Sequence, residues 1–202
     1  MNLFQLSGTN DVDITQLALR IRGEDLAAAP DLLVRHGDRL LRFAFLLCGS
    51  EATAQDLVQE TFLQALRSAR RFRGQSSVYT WLQGILVNLS RHHHREANRM
   101  VYDHKLLEQA PAVAGEEPLP LDVEMATSAL RQALGQLSAL HREVLVLRYY
   151  EGMKVHEIAR HLRISRGTVK SRLHYAIAEM QQLLPKEMNL FGAGGTERRE
   201  PT

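Results

Sequence analysis

The 202-residue chain is 45% hydrophobic, balances 25 Lys and Arg against 23 Asp and Glu for a formal net charge of +2, and holds a single cysteine. That composition supports one compact domain or two small ones and excludes a disordered polymer, while the lone Cys48 excludes an internal disulfide or a CxxC metal or redox site. No apolar run of about 18 residues offers a membrane span, and MNLFQLSGTNDVD lacks the basic-then-apolar layout of a secretion signal, so direct membrane insertion is not expected and the expected location is the cytoplasm.

Few aromatics, little alternation and long stretches of Leu, Ala, Arg, Gln and Glu favour helix over strand, and the expected fold class is all-α. Residues 1–13 read as a flexible N-terminus, and 14–98 as three or four helices forming one unit. The first helix runs through ITQLALRIR. A longer one follows Pro30 through DLLVRHGDRLLRFAFLLC, in which Cys48 reads as a buried structural thiol. Gly49 and Ser50 end it and cap the next, EATAQDLVQETFLQALRSA. In that helix Asp56, Gln59 and Glu60 fall at i, i+3 and i+4, so two carboxylates and an amide share one face and suit a basic partner. Leu57, Phe62, Leu63 and Leu66 can pack inward or flank that contact; an acidic face that merely meets solvent is the plain alternative.

Phe72, Arg73, Gly74, Gln75, Ser76 and Ser77 break the helical period as a loop. The helix VYTWLQGILVNLSRHHHRE follows, with Trp81, Leu82, Ile85, Leu86 and Leu89 as one apolar stripe. His92, His93 and His94 are adjacent on this helix and point about 100° apart, so they cannot converge on one ion without other ligands. They read as a pH-sensitive basic surface, and neither metal nor cofactor is expected.

Residues 99–122, rich in Pro, Ala and acid, read as a flexible linker. A second unit, 123–186, opens with VEMATSALRQALGQL; Ser138 can then cap ALHREVLVLRYYEG, which Gly152 can close. Residues 154–176, KVHEIARHLRISRGTVKSRLHYA, carry the pattern of a helix-turn-helix. Ile158, Ala159 and Leu162 share one face, and Ile164, Val169 and Leu173 continue the apolar strip. The opposite face of the second helix would carry Arg166, Lys170, Ser171, His174 and Tyr175, side chains suited to base edges and phosphates. Lys154, Arg160, Arg163, Arg166, Lys170 and Arg172 are opposed here by Glu157 alone, although basic residues also serve as solvated faces. The glycine-rich tail, 187–202, is expected to be disordered.

Taken in order and at their spacing, DLVQETFLQAL, RRFRGQSSVYTWLQGILVN, a linker and the GTVKSRL helix resemble bacterial RNA polymerase sigma factors of the extracytoplasmic-function type, which retain only sigma regions 2 and 4. The resemblance implies two small helical domains, a region 2 bundle and a region 4 helix-turn-helix, that bind core RNA polymerase and promoter DNA without being an enzyme. It assigns Asp56, Gln59 and Glu60 to the polymerase contact. It assigns Arg71, Phe72, Arg73, Gly74, Gln75, Ser76 and Ser77 to a loop that accepts a base flipped from the minus-ten element, with Asn88 as a candidate reader. Arg67, Arg70, Arg91 and Arg95 add positive charge there, and Trp81 is assigned to packing.

In region 4, the resemblance assigns Lys170, Ser171, His174 and Tyr175 to minus-thirty-five base and backbone contacts, and Arg166, Thr168 and Arg172 to phosphates. Lys154 and Arg163 depart from the family, standing where relatives often carry a capping hydroxyl and a turn glycine, and Tyr175 replaces a common basic residue. Glu116, Glu117 and Asp122 of the linker would imitate nucleic-acid charge inside the polymerase. The family further implies an anti-sigma partner, often membrane-anchored, that would hold the chain at the inner membrane. Two other readings remain: a helix-turn-helix regulator with a sensor domain, which would need strands the first half does not offer, and a histidine metalloenzyme, for which spaced carboxylate and histidine ligands are missing.

Overall fold

The computed structural model describes residues 29–69, 72–103 and 121–184, and among these every regular element is helical. The expected ITQLALRIR helix, Arg70 and Arg71, Glu116 and Glu117, and the glycine-rich tail lie outside the described residues. The chain divides into two compact units between Ala110 and Pro111.

The first unit is built from α1 (Ala29–Cys48), α2 (Glu51–Ser68) and α3 (Val78–Asp103), each packed on the other two. The α1–α2 corner forms where the sequence places its punctuation. Gly49 takes a positive φ of 75°, and the Ser50 hydroxyl accepts from the Thr53 N–H at 3.3 Å to cap α2. Half-buried Cys48 donates its thiol to the Ser50 carbonyl at 3.2 Å, within the same corner. Leu32, Leu40, Phe43 and Ala44 of α1, Ala54 and Ala65 of α2, and Val78, Leu82 and Leu86 of α3 form the core. Small residues at Ala54 and Ala65 let α2 approach closely, and buried Thr61 satisfies its hydroxyl on the Leu57 carbonyl at 2.7 Å. The α3 helix is longer than the sequence reading, extending through Asp103 into the segment read as linker.

The second unit comprises α4 (Leu121–Gln136), α5 (Ala139–Leu145) running on into a five-residue π-helical turn (Val146–Tyr150), α6 (Val155–Leu162) and α7 (Arg166–Leu183). Ser138 caps α5 by accepting from the His141 N–H at 3.2 Å. Buried Arg142 then closes the corner, donating from Nη2 to the carbonyls of Gly135 at 2.7 Å and Leu137 at 3.1 Å, which answers the orphan acceptors at the end of α4. Val144, Leu147, Ile158, Val169, Ala176 and Met180 are the innermost side chains, so α7 is the spine against which α4, α5 and α6 pack.

Candidate nucleic-acid interface

The α6–α7 turn sets the pose of α7. Arg163 adopts φ 55°, ψ 45°, and its N–H donates to the Arg160 carbonyl at 3.4 Å while the Ile164 N–H reaches back to Ala159 at 3.0 Å. This is the paired bonding of a Schellman ending, with an arginine in the left-handed position that glycine usually fills. Ser165 caps the helix it opens, accepting from the Thr168 N–H at 3.0 Å and sharing a hydroxyl contact with Thr168 at 2.8 Å. Ser165 was not among the residues read from sequence, although a serine directly before a helical period is a legible cap signal. At the other end of the pair, Lys154 offers α6 no side-chain acceptor, and Glu157 instead accepts from the Lys154 N–H at 2.7 Å.

With Val169, Leu173, Ala176 and Met180 buried, the opposite side of α7 is open. Arg166, Lys170, Ser171, His174 and Tyr175 are all exposed there, Tyr175 at 60%, with the His174 ring edge-on to it at 5.5 Å. Thr168 and Arg172 sit differently, half-buried along the flank of the buried stripe. The Thr168 hydroxyl is engaged with the cap, and Nη1 of Arg172 is enclosed without a hydrogen-bond partner. Farther along, Glu179 faces His141 of α5 at 2.8 Å, which keeps its carboxylate engaged away from the basic end.

In the first unit the exposed stripe of α2 carries Asp56, Gln59 and Leu63, with half-buried Glu60 beside them. Arg67 approaches Glu60 at 3.7 Å between largely exposed side chains, so this arginine belongs to the α2 face. Leu57 packs inward, Phe62 and Leu66 are half-buried, and Leu63 stands 41% exposed on the same face, between Gln59 and Arg67. An apolar centre ringed by polar groups is how protein contacts are commonly built.

Between α2 and α3, Phe72 lays its ring on Trp81 with centroids 4.9 Å apart, while Arg73, Gly74, Gln75, Ser76 and Ser77 are exposed. Gly74 bends the loop at φ 69°, and Ser77 caps α3 through the Thr80 N–H at 3.1 Å. Trp81 is half-buried, as are Ile85 and Leu89; the deep stripe runs instead through Val78, Tyr79, Leu82, Gln83, Leu86 and Val87. Asn88 and Arg95 are exposed on α3 and Arg91 is half-buried. His92 to His94 are exposed as well, His92 lying 3.3 Å from Glu96; among the described residues no group of three His, Cys, Asp or Glu is placed to hold a metal ion. No described helix is long and apolar enough to cross a membrane.

Comparison with known proteins gives these surfaces a context. Sigma-70 region 2 matches residues 32–100, and Sigma-70 region 4 matches residues 133–182. The ECF RNA polymerase sigma factor SigL of Mycobacterium tuberculosis is 36% identical over 167 residues, covering 78% of this chain and 92% of SigL. The ECF RNA polymerase sigma factor SigE of Mycolicibacterium smegmatis is 34% identical over 168 residues, and there the match spans 80% of this chain but 65% of SigE. Among solved structures, the sigma factor RpoE, co-crystallised with the anti-sigma factor NepR from Bartonella quintana, superposes with a TM-score of 0.65 at 28% identity, covering 76% of this chain and 94% of RpoE. CnrH in complex with the cytosolic domain of CnrY follows at 0.58 and 26%, covering 84% and 96%. With region 2 on the first helical unit, region 4 on the second, and relatives matched along most of their length, this chain belongs to the extracytoplasmic-function sigma factors of RNA polymerase.

Proposed function

We propose that the chain is a dissociable specificity subunit. It binds core RNA polymerase, recognises the minus-thirty-five element with α7 and the minus-ten element with the loop after α2, and leaves once elongation begins. It performs no chemistry of its own. What supports this most is the open face of α7, where Arg166, Lys170, Ser171, His174 and Tyr175 stand clear of a helix whose other side is fully anchored. That face offers cationic and hydrogen-bonding groups in the size of a major groove. Arg172 and Thr168 act at its edge as phosphate contacts.

In the first unit Asp56, Gln59 and Glu60 dock the polymerase around Leu63. Phe72, Arg73, Gln75, Ser76 and Ser77, joined by Arg71, accept the flipped base, and Asn88, Arg91 and Arg95 extend the strand's path along α3. Extracting a base costs a few kcal/mol, which hydrogen bonds to its unpaired edge offset. An anti-sigma factor covers these surfaces in the uninduced state, a reading supported by the NepR complex of RpoE. The chain is then cytoplasmic, and is held at the inner membrane where that partner is anchored there.

The test is reconstitution with core polymerase and sequencing of transcript start sites across the host genome. A shared pair of upstream elements is the expected result, and the absence of any directed start overturns the proposal. With Lys170 and Ser171 both changed to Ala, discrimination at the upstream element should fall by about 1–3 kcal/mol per lost specific contact. An unchanged start-site profile would remove these two residues from the reading face.

A further inference from the structure

The loop Phe72–Ser77 is pinned at both ends and open between them. At its start the Phe72 N–H donates to the Ala69 carbonyl at 3.0 Å, and the Phe72 ring rests on Trp81 at 4.9 Å with the planes tilted by 41°. At its end the Ser77 hydroxyl caps α3, and the Ser77 carbonyl accepts from the Trp81 N–H at 3.0 Å. Trp81 therefore touches both ends, by its ring and by its backbone. The side chains of Arg73, Gln75 and Ser76 are exposed and make no hydrogen bond or ion pair among the described residues. Their polar groups are unspent, while the loop's backbone is held at its two ends, Phe72 and Ser77.

Trp81 also stands in line with the candidate reader. Asn88 is seven residues on, which at about 100° per residue returns it to within roughly 20° of Trp81, about 10.5 Å along the axis. Gly84, which has no side chain, and half-buried Ile85 lie between them. Indole and amide thus share one helix face that begins where the loop ends. The class of ligand that fits is an unpaired nucleobase of single-stranded DNA, which needs a fixed wall and a hydrogen-bonding edge.

We propose that Trp81 is the positioning residue of the base-capturing loop, fixing Phe72 and thereby aiming Arg73, Gln75 and Ser76 toward Asn88. This rests on the reading of the loop as the minus-ten surface and adds a role for a residue that family resemblance assigns to packing. A loop arranged in advance does not have to be ordered when the base arrives, so Trp81 contributes to discrimination through the loop it holds, and a base seated against that loop shields the indole from solvent.

The experiment uses the full chain assembled with core polymerase and single-stranded oligonucleotides carrying the upstream element found by start-site mapping, each with one nucleotide made abasic in turn. Wild type should bind the intact strand better than the strand lacking the captured base. Trp81→Met, which keeps bulk without a ring, should lose roughly two- to tenfold of that preference, the scale of one aromatic pair; Trp81→Phe should restore it. Because Trp81 is the one tryptophan in the sequence, its fluorescence in the wild-type assembly, read against the same assembly carrying Trp81→Phe, is a second measurement. Quenching of Trp81 by acrylamide should fall on adding the intact strand and less with the abasic one. A Trp81→Met variant that folds and keeps the full preference overturns the inference; should that variant not fold, unchanged Trp81 quenching on strand binding does so. A wild-type chain indifferent to every abasic position overturns the base-capture reading itself, and the role of Trp81 with it.

Discussion

Arg163 holds the left-handed turn between α6 and α7, where a residue with a Cβ costs about 1–2 kcal/mol relative to its usual conformations. Glycine there removes that cost but loses about 0.5–1 kcal/mol through the freer unfolded chain. The Arg163→Gly substitution should therefore stabilise the second unit by about 0.5–1 kcal/mol, read as a later urea midpoint in circular dichroism. Trp81 lies in the first unit, so its fluorescence midpoint should not move. His36 offers a second test. Burial, and then the positive charges of Arg35 and Arg39, hold its imidazole below the ordinary value of 6.5, and its Nε2 is enclosed without a partner beside the Tyr79 ring. Below pH 6.5 the unfolded chain takes up a proton that the folded chain refuses. The first unit should thus lose stability as pH falls from 6.5 toward the lower folded value, then level off. Replacing His36 by Phe should flatten that slope, as measured by tryptophan-monitored urea unfolding at pH 7.5 and 5.5. The left-handed turn at Arg163 could be anticipated only through the resemblance, because arginine itself carries no turn signal and it is the family's frequent glycine that marks the position. The burial of His36 could not be anticipated, since a lone histidine inside VRHGDR gives no hint of the helix that covers it.

At the scale of elements, α2 divides its residues by face: Ala54, Leu57, Val58, Thr61 and Ala65 inward, Asp56, Gln59 and Leu63 outward, the outer face being the one proposed to dock. Changing Asp56 and Glu60 together to Ala should weaken retention of the chain by immobilised core polymerase while leaving its helical circular dichroism unchanged. Undiminished retention would detach this face from docking. The caps at Ser50 and Ser138 and the turns at Gly49 and Gly152 could be read from residue type, because each is settled within four residues of chain. Leu63 could not be placed so easily. Its helical position allows either packing or exposure, and only the actual fit of α2 between α1 and α3 decides. The same limit explains Trp81: the apolar stripe was found, but its centre lies about one residue position away, on Leu82 and Leu86, leaving the indole at the edge to meet Phe72. Likewise, α3 outlasts its apolar pattern because VYD neither breaks nor caps a helix.

For the whole molecule, the proposed function puts its two recognition surfaces on separate units, which makes selectivity depend on joining them. Neither needs to bind DNA tightly alone, since attachment to a common polymerase raises the effective concentration of the second contact. Doubling the number of residues between the units by inserting Gly and Ser after position 110 should cost about 0.6 kcal/mol if only loop-closure entropy is at stake. In a start-site assay that corresponds to a loss of about threefold, without a change in the elements selected. A far steeper loss would mean the segment itself contributes contacts. The second unit is less tolerant at Val146–Tyr150. One additional residue in that π turn carries the chain onward out of phase with α5, so that Arg148, Tyr149 and Tyr150 emerge in succession at the surface while Val146 and Leu147 stay inside. Deleting a single amino acid there would turn all that follows by about 100° about the local axis. The exposed positions Arg148, Tyr149 and Tyr150 can thus vary in spelling while the letter count cannot, and substitutions at these three should be accepted where shortening by one abolishes upstream-element discrimination in the start-site assay.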